Sequence, residues 1–334
     1  MAIALEGYEN TIVAGTSRNG VYILNAGIWS TINTGLINSG ELAIYNLVLN
    51  GTTIFAGTGS GLFSYNGSTW SYKIGTGKII TCLSSNSANI YGINNSGIGT
   101  LYISTNGGST WYSISPGVLG GGGLREIIDL GNNDIIVTQQ SIQANVWYSS
   151  NNGSTLSKIN SGITAITYNS LCLINGNVYL ACPGSSPYTP GIFETTNYSS
   201  WSNIGLGPEI GSTTPISLAT DGTTLYASIP GSGVYNYSNG NWTQLPTTGL
   251  DLNINTIAAI NGTLLVGTTD NGIYLYNGYN AWTSIGPIGL PVTSIISYTS
   301  PTWNLSNANI YDGTNWIEYP CYGFDGTNWI LGSI

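Results

Sequence analysis

The sequence contains no histidine, and only five of its 334 residues are cationic: Arg18, Lys73, Lys78, Arg125 and Lys158. The first absence removes Ser/His and Cys/His nucleophile schemes, which need an imidazole to take the proton. The second excludes a nucleic-acid partner, because five scattered cations cannot track a phosphate backbone and the net charge is −9. Cys82, Cys172, Cys182 and Cys321 are too few and too scattered for a disulfide framework or a zinc site. No metal or other cofactor is therefore expected. No apolar run approaches the eighteen or so residues of a membrane helix, so membrane insertion is not expected either. The opening MAIALEGYEN lacks the basic start and apolar core of a secretory leader.

Charged residues of both signs make up 6% of the chain, against roughly 25% in ordinary soluble proteins. Asn, Ser, Thr, Gly and 23 tyrosines carry the polarity instead. Acid unfolding is driven by protonating paired carboxylates and by the unbalanced positive charge that follows. With 14 carboxylates and five cations, this chain has little to lose in that way. The composition points to an acidic exterior, such as the surface of a thermoacidophile or of its virus. The plainer alternative is a neutral extracellular or phage-tail β-protein. A virion or extracellular surface is the expected location, with the cytoplasm as the alternative.

Repeats settle the architecture. Trp29, Trp70 and Trp111 are 41 residues apart, Leu156 and Trp201 follow at intervals of 45, and Trp242, Trp282 and Trp329 continue the series. Around them one phrase recurs, as in TIFAGTGSGLFSYNGSTWSYKI (53–74) and TLYASIPGSGVYNYSNGNWTQL (224–245). It reads as an apolar strand, a Gly-rich turn, a period-two strand, an Asn-Gly turn and a strand opening on tryptophan. A fourth apolar segment, such as YNLVLN (45–50), precedes it. Four antiparallel strands per unit of about 40 residues is the blade of a β-propeller. The expected fold is all-β, a single propeller domain over 1–334. Eight blades are favoured, with seven plus a C-terminal extension as the alternative. The eighth unit, 291–334, is irregular and contains both Trp316 and Trp329 as register candidates.

Two hairpins carry a longer signature. Ser104, Asn106, Gly108, Thr110 and Trp111 lie in STNGGSTW, and Ser149, Asn151, Gly153 and Thr155 lie in SSNNGSTL. This resembles the Asp-box of sialidases and related propellers, Ser-x-Asp-x-Gly-x-Thr-Trp, with Asn in place of Asp and Leu156 in place of the second Trp. The resemblance implies a structural fastener on the blade rim, not a catalytic site. An Asx side chain can accept backbone N–H bonds and hold such a turn closed. An Asn-only loop offers poor charge for calcium. The resemblance also brings sialidase activity to mind, which in that family uses an arginine triad; Arg18 and Arg125 are the only arginines, so that activity is excluded.

The expected function is a non-enzymatic binding or structural module that recognises a glycan or protein partner on a virion or cell surface. Catalytic residues are not assigned. The competing class is a glycoside hydrolase with two carboxylates near the central channel, although no pair stands out. Candidate binding residues are Trp147 and Trp303, which sit off the tryptophan register, and Arg125 and Glu126, which end the glycine-rich GVLGGGGLRE (117–126). The plainer reading of Arg125 and Glu126 is an inter-blade ion pair.

Overall fold

The computed structural model describes residues 11–25, 27–86, 88–95, 99–115, 123–140, 145–163, 167–183, 190–205, 217–260, 262–287 and 289–298, and the backbone of four short strands beyond them. The chain divides into two compact units, Met1–Tyr298 and Thr299–Ile334.

The first unit holds seven four-stranded antiparallel sheets, each with its strands in simple up-and-down order. Blades 2 to 7 follow the chain, with innermost strands Ile44–Asn50, Ile80–Ser85, Leu124–Gly131, Ser170–Ile174, Ser217–Thr220 and Ile254–Ile260. Blade 1 is assembled from both ends. Its outer three strands are Thr11–Thr16, Gly20–Asn25 and Ile28–Thr31, and its innermost strand is Val292–Tyr298.

The ring therefore has seven blades, and the eight-blade expectation is corrected. In blade 1 the innermost place is taken by 292–298, which pairs Val13 with Ile296 and Ala14 with Ile295. Closing the ring this way pairs what would otherwise be an exposed strand edge. Among the described residues of the second unit there is no four-stranded sheet. That unit carries two hairpins, Ala308–Tyr311 with Trp316–Tyr319 and Tyr322–Phe324 with Trp329–Leu331. The span 291–334 thus does not correspond to a whole blade, since Val292–Tyr298 belongs to blade 1. The tryptophan series exceeds the number of blades because the second strands of these hairpins also open on tryptophan, Trp316 and Trp329.

The second strand of each blade is almost wholly buried, as in Asp134–Gln139 (DIIVTQ) and Thr263–Thr268 (TLLVGT), and in blade 2 the third strand is buried as well. Such strands are covered by a blade on either side, so their β-branched and apolar residues run almost without alternation. Hydrophobic clusters accordingly form between blades: Val13, Leu47, Ile54 and Trp70 join blades 1 and 2, and Ile136, Val178, Phe193 and Trp201 join blades 4 and 5.

The hairpin tips are held by Asx side chains. Asn66 Oδ1 accepts the Ser68 and Thr69 N–H groups at 3.0 Å, and Asp221 Oδ1 does the same for Thr223 and Thr224. Against the cost of partial burial, four accepted bonds, from the Thr223 and Thr224 N–H groups and the Thr223 and Tyr226 hydroxyls, hold the Asp221 carboxyl down at about 2. Cys172 pairs across its hairpin with Tyr179, not with Cys182, and Cys82, Cys172 and Cys182 are buried free thiols.

Candidate functional site: the central channel

The seven innermost strands surround a cavity of about 430 Å3. Apart from Ser84 and Ser85, its polar lining follows one rule. Asn46, Cys82, Ser170, Ser217, Thr256 and Ser294 each pair with the penultimate residue of the neighbouring second strand: Gly57, Ile93, Ala181, Ser228, Gly267 and Gly15. Glu126 holds the same place in blade 4, where its N–H donates to Thr138 Oγ1 at 3.0 Å. Every blade thus sends one side chain into the cavity at one level: Ser294, Asn46, Cys82, Glu126, Ser170, Ser217 and Thr256, in ring order.

In blades 1, 2, 3, 4 and 7 a β-bulge in the innermost strand precedes or brackets this position. A bulge inserts one extra residue and re-aims the side chains that follow. Plain two-residue alternation in the sequence therefore does not identify the residue that faces the channel.

This ring has a structural task. An innermost strand is an edge strand whose outward N–H groups need partners. Leu47 N–H donates to Ser294 Oγ at 3.1 Å, Leu83 N–H to Asn46 Oδ1 at 3.0 Å, Leu218 N–H to Ser170 Oγ at 3.1 Å, and Ile257 N–H to Ser217 Oγ at 3.4 Å. Each bond ties a blade to the one before it. Blades 3 and 4 are joined differently at this level: the Cys82 thiol donates to Glu126 Oε2 at 3.4 Å.

Glu126 is the one charged side chain among the described residues lining the cavity. Burial raises its carboxyl to about 7, while the Cys82 hydrogen bond and the Arg125 charge pull the other way. Burial first and the Glu126 charge second raise the Cys82 thiol well above its ordinary range, so it is no nucleophile. Arg125 forms no ion pair with Glu126; its guanidinium donates to Gln140 Oε1 at 3.1 Å and to Asn169 Oδ1 at 3.4 Å, the latter on the approach to blade 5. Both residues lie inside a strand, Leu124–Gly131, instead of ending a loop.

The remaining candidates sit elsewhere. Trp147 is half-buried in the third strand of blade 4, packs on the cluster shared with blade 3, and donates its Nε1–H to Gln139 Oε1 at 3.2 Å. Trp303 lies outside the described residues.

The two longer hairpin loops share one geometry. Asn106 Oδ1 accepts the Thr110 N–H at 2.9 Å and the Ser104 hydroxyl at 3.0 Å, its Nδ2 donates to Thr110 Oγ1 at 2.8 Å, and Gly108 N–H donates to Ser104 Oγ at 2.8 Å. Ser149, Asn151, Gly153 and Thr155 repeat these bonds within 0.1 Å. Gly108 (φ +86°) rests on the Phe55 ring of blade 2, where a Cβ would lie 2.6 Å from Phe55 Cζ.

These loops substitute for another fastener. Trp29, Trp70, Trp201, Trp242 and Trp282 each donate the indole N–H to a carbonyl at the end of the preceding blade: Ile285, Ile32, Ile159, Ile204 and Pro246. The Trp111 indole instead donates to the Gly108 carbonyl of its own loop and meets Phe55 edge-on, and the Leu156 side chain has no donor. The two blades with the longer loop are those whose register residue makes no such reach.

Comparison with known proteins agrees with this geometry at the level of fold. No protein-family model matches the chain, and no curated protein matches it. Among solved structures, the chain is similar to the GH74 enzyme of Niastella koreensis, with a TM-score of 0.64, 18% identity and 95% of this chain covered. It is similar as well to the extracellular domain of the putative hybrid two-component system BT4673 from B. thetaiotaomicron, with a TM-score of 0.62, 18% identity and 81% covered. A third is YCF48 bound to D1 peptide, with a TM-score of 0.56 and 13% identity. The matches span 56% of the first of these chains, 39% of the second and 99% of the third. At such identities the likeness shows the propeller fold.

Proposed function

We propose that the protein is a non-enzymatic binding module that recognises a glycan or protein partner at the exterior of a cell or virion. The observation that carries this reading is the solitary Glu126 in the channel. Glycoside hydrolysis, the competing reading raised by the likeness to the GH74 enzyme, needs two carboxylates about 5 to 9.5 Å apart. The described lining supplies one.

The other described carboxylates are engaged in local structure. Glu41 accepts the Ile37 N–H, Asp129 the Asn86 amide, Asp134 the Tyr148 hydroxyl, Glu194 the Tyr179 hydroxyl and Asp251 the Asn271 amide. A rigid ring with loops at both faces suits recognition, and exposed Tyr45, Tyr72, Tyr112 and Tyr279 offer flat faces with hydroxyls. The extracellular domain among the similar folds fits an exterior location.

The test is a glycan array and a pull-down from cell-surface and virion extracts, run beside a hydrolysis assay on a panel of polysaccharides. Saturable binding without turnover supports the reading. Turnover that Glu126→Gln abolishes would replace it with the hydrolase.

A further inference from the structure

Glu126 presents an unsolved electrostatic problem. Its carboxyl faces a cavity of about 430 Å3, and Oε1 has no protein partner among the described residues. The nearest cation, Arg125, is turned to Gln140 and Asn169. An ionised carboxylate left unpaired in a partly desolvated site is costly, and such groups mark functional sites more often than chance. The channel walls around it combine two chemistries. Ser170, Ser217, Thr256 and Ser294 offer hydroxyl oxygens at its own level, while Val48, Leu49, Ile128, Ile257 and Ile296 present aliphatic surface. With 14 carboxylates against five cations, the field of the whole chain also draws positive ligands.

We propose that the central channel is a binding site for a primary alkylammonium, with the ammonium on Glu126 and the ring hydroxyls and the alkyl stem along the aliphatic wall. The ligand comes either as a free alkylamine or as the lysine side chain of a partner; the ammonium chemistry is common to both. This deepens the binding-module reading, but it does not depend on whether the loops recognise glycan or protein.

The proposal carries a proton signature. A carboxyl that holds its proton up to about 7 must release it before it can pair with an ammonium. No other titratable group lines the cavity among the described residues except Cys82, whose thiol stays protonated. Alkylammonium ions keep their charge to about pH 10, so the linked proton comes from Glu126. Occupancy is then favoured at neutral and alkaline pH, and acid empties the site.

The experiment is calorimetric titration of the full chain with n-butylammonium chloride and with a short acetylated, amidated lysine peptide. Runs at about pH 8.5 and about pH 5.5 should differ about thirtyfold in affinity, the factor by which protons compete at the lower pH. Near pH 6 the heats in two buffers of different ionisation enthalpy should report close to one proton released per amine bound. Glu126→Gln, which keeps the shape and removes the charge, should lose binding while its far-ultraviolet spectrum and thermal transition persist.

If the peptide binds as the free amine does, the source is a partner lysine; if the free amine alone binds, it is a small molecule. The proposal is overturned by equal affinity at the two pH values, by binding retained in Glu126→Gln, by equal affinity for n-butanol, or by no saturable binding of either probe. Loss of amine binding with glycan-array binding intact would remove this site and leave the module reading standing.

Discussion

Replacing Glu126 with Gln should remove a large part of the dependence of stability on pH between 4.5 and about 7. In the unfolded chain the carboxyl ionises near 4.5, and in the channel burial holds the proton on to about 7. Between those values the folded state binds more protons than the unfolded one. Stability from this group is therefore present in full below 4.5 and is lost as pH rises through 7. The interval corresponds to roughly 3 kcal/mol, an upper figure because Glu126 is half-buried and water in the channel can solvate the anion. For a domain of this size that is about 5 °C in melting temperature.

The chain has no histidine, so few other groups titrate in the window. Asp129, whose carboxyl is also raised, chiefly by burial, adds in the same direction. Differential scanning calorimetry at pH 4.5 and pH 8 should show the wild type melting higher in acid and Glu126→Gln losing most of that difference. Parallel wild-type and variant curves would refute the argument, because they would mean that Glu126 ionises in the folded protein as it does in the unfolded chain. A further scan of the wild type at about pH 3 tests the acid-exterior reading of the composition; loss of most of its stability there would sink it.

The blade fasteners give further expectations. Trp201→Phe leaves the Ile159 carbonyl without its indole donor in a buried junction and should cost about 1 to 3 kcal/mol in urea unfolding. Gly108→Ala combines a positive φ with a Cβ driven into the Phe55 ring, and should cost more than about 2 kcal/mol or prevent folding. Asn106→Asp keeps both bonds accepted at Oδ1 and lets the Thr110 hydroxyl donate, so its stability should stay within about 0.5 kcal/mol of wild type; Asn106→Ala should lose about 2 kcal/mol. Cys82, Cys172 and Cys182 should resist a thiol reagent in the native protein at pH 8 and react once denatured, since burial raises all three thiols.

Much of this architecture was legible because its signals are local. A turn closed by Asn66 or Asp221, a period-two strand and a tryptophan at the start of the next strand all lie within some 20 residues of one another, so repetition exposes them in the chain. The hairpin loops around Asn106 and Asn151 are legible for the same reason: every bond that closes them falls within four residues. Arg125 and Glu126 attracted notice as adjacent charges in a chain nearly without them, but their roles could not be separated. Alternation sends neighbours to opposite sides of a strand, and a bulge in Leu124–Gly131 shifts the phase.

The sequence alone determined the four-stranded unit, the absence of a sialidase's arginine set and the lack of histidine chemistry, because these depend on composition and on short-range bonding. Tertiary structure decided the rest. It made seven blades by drawing Val292–Tyr298 back to Thr11–Thr16, a pairing across nearly the whole chain that no local pattern encodes. It also decided that one side chain per blade meets at one level of a channel, and that among the described residues no cation lines the channel with Glu126. Closure of a ring is a global condition: it depends on how many twisted sheets pack face to face around one axis, and each repeat taken singly is compatible with more than one answer.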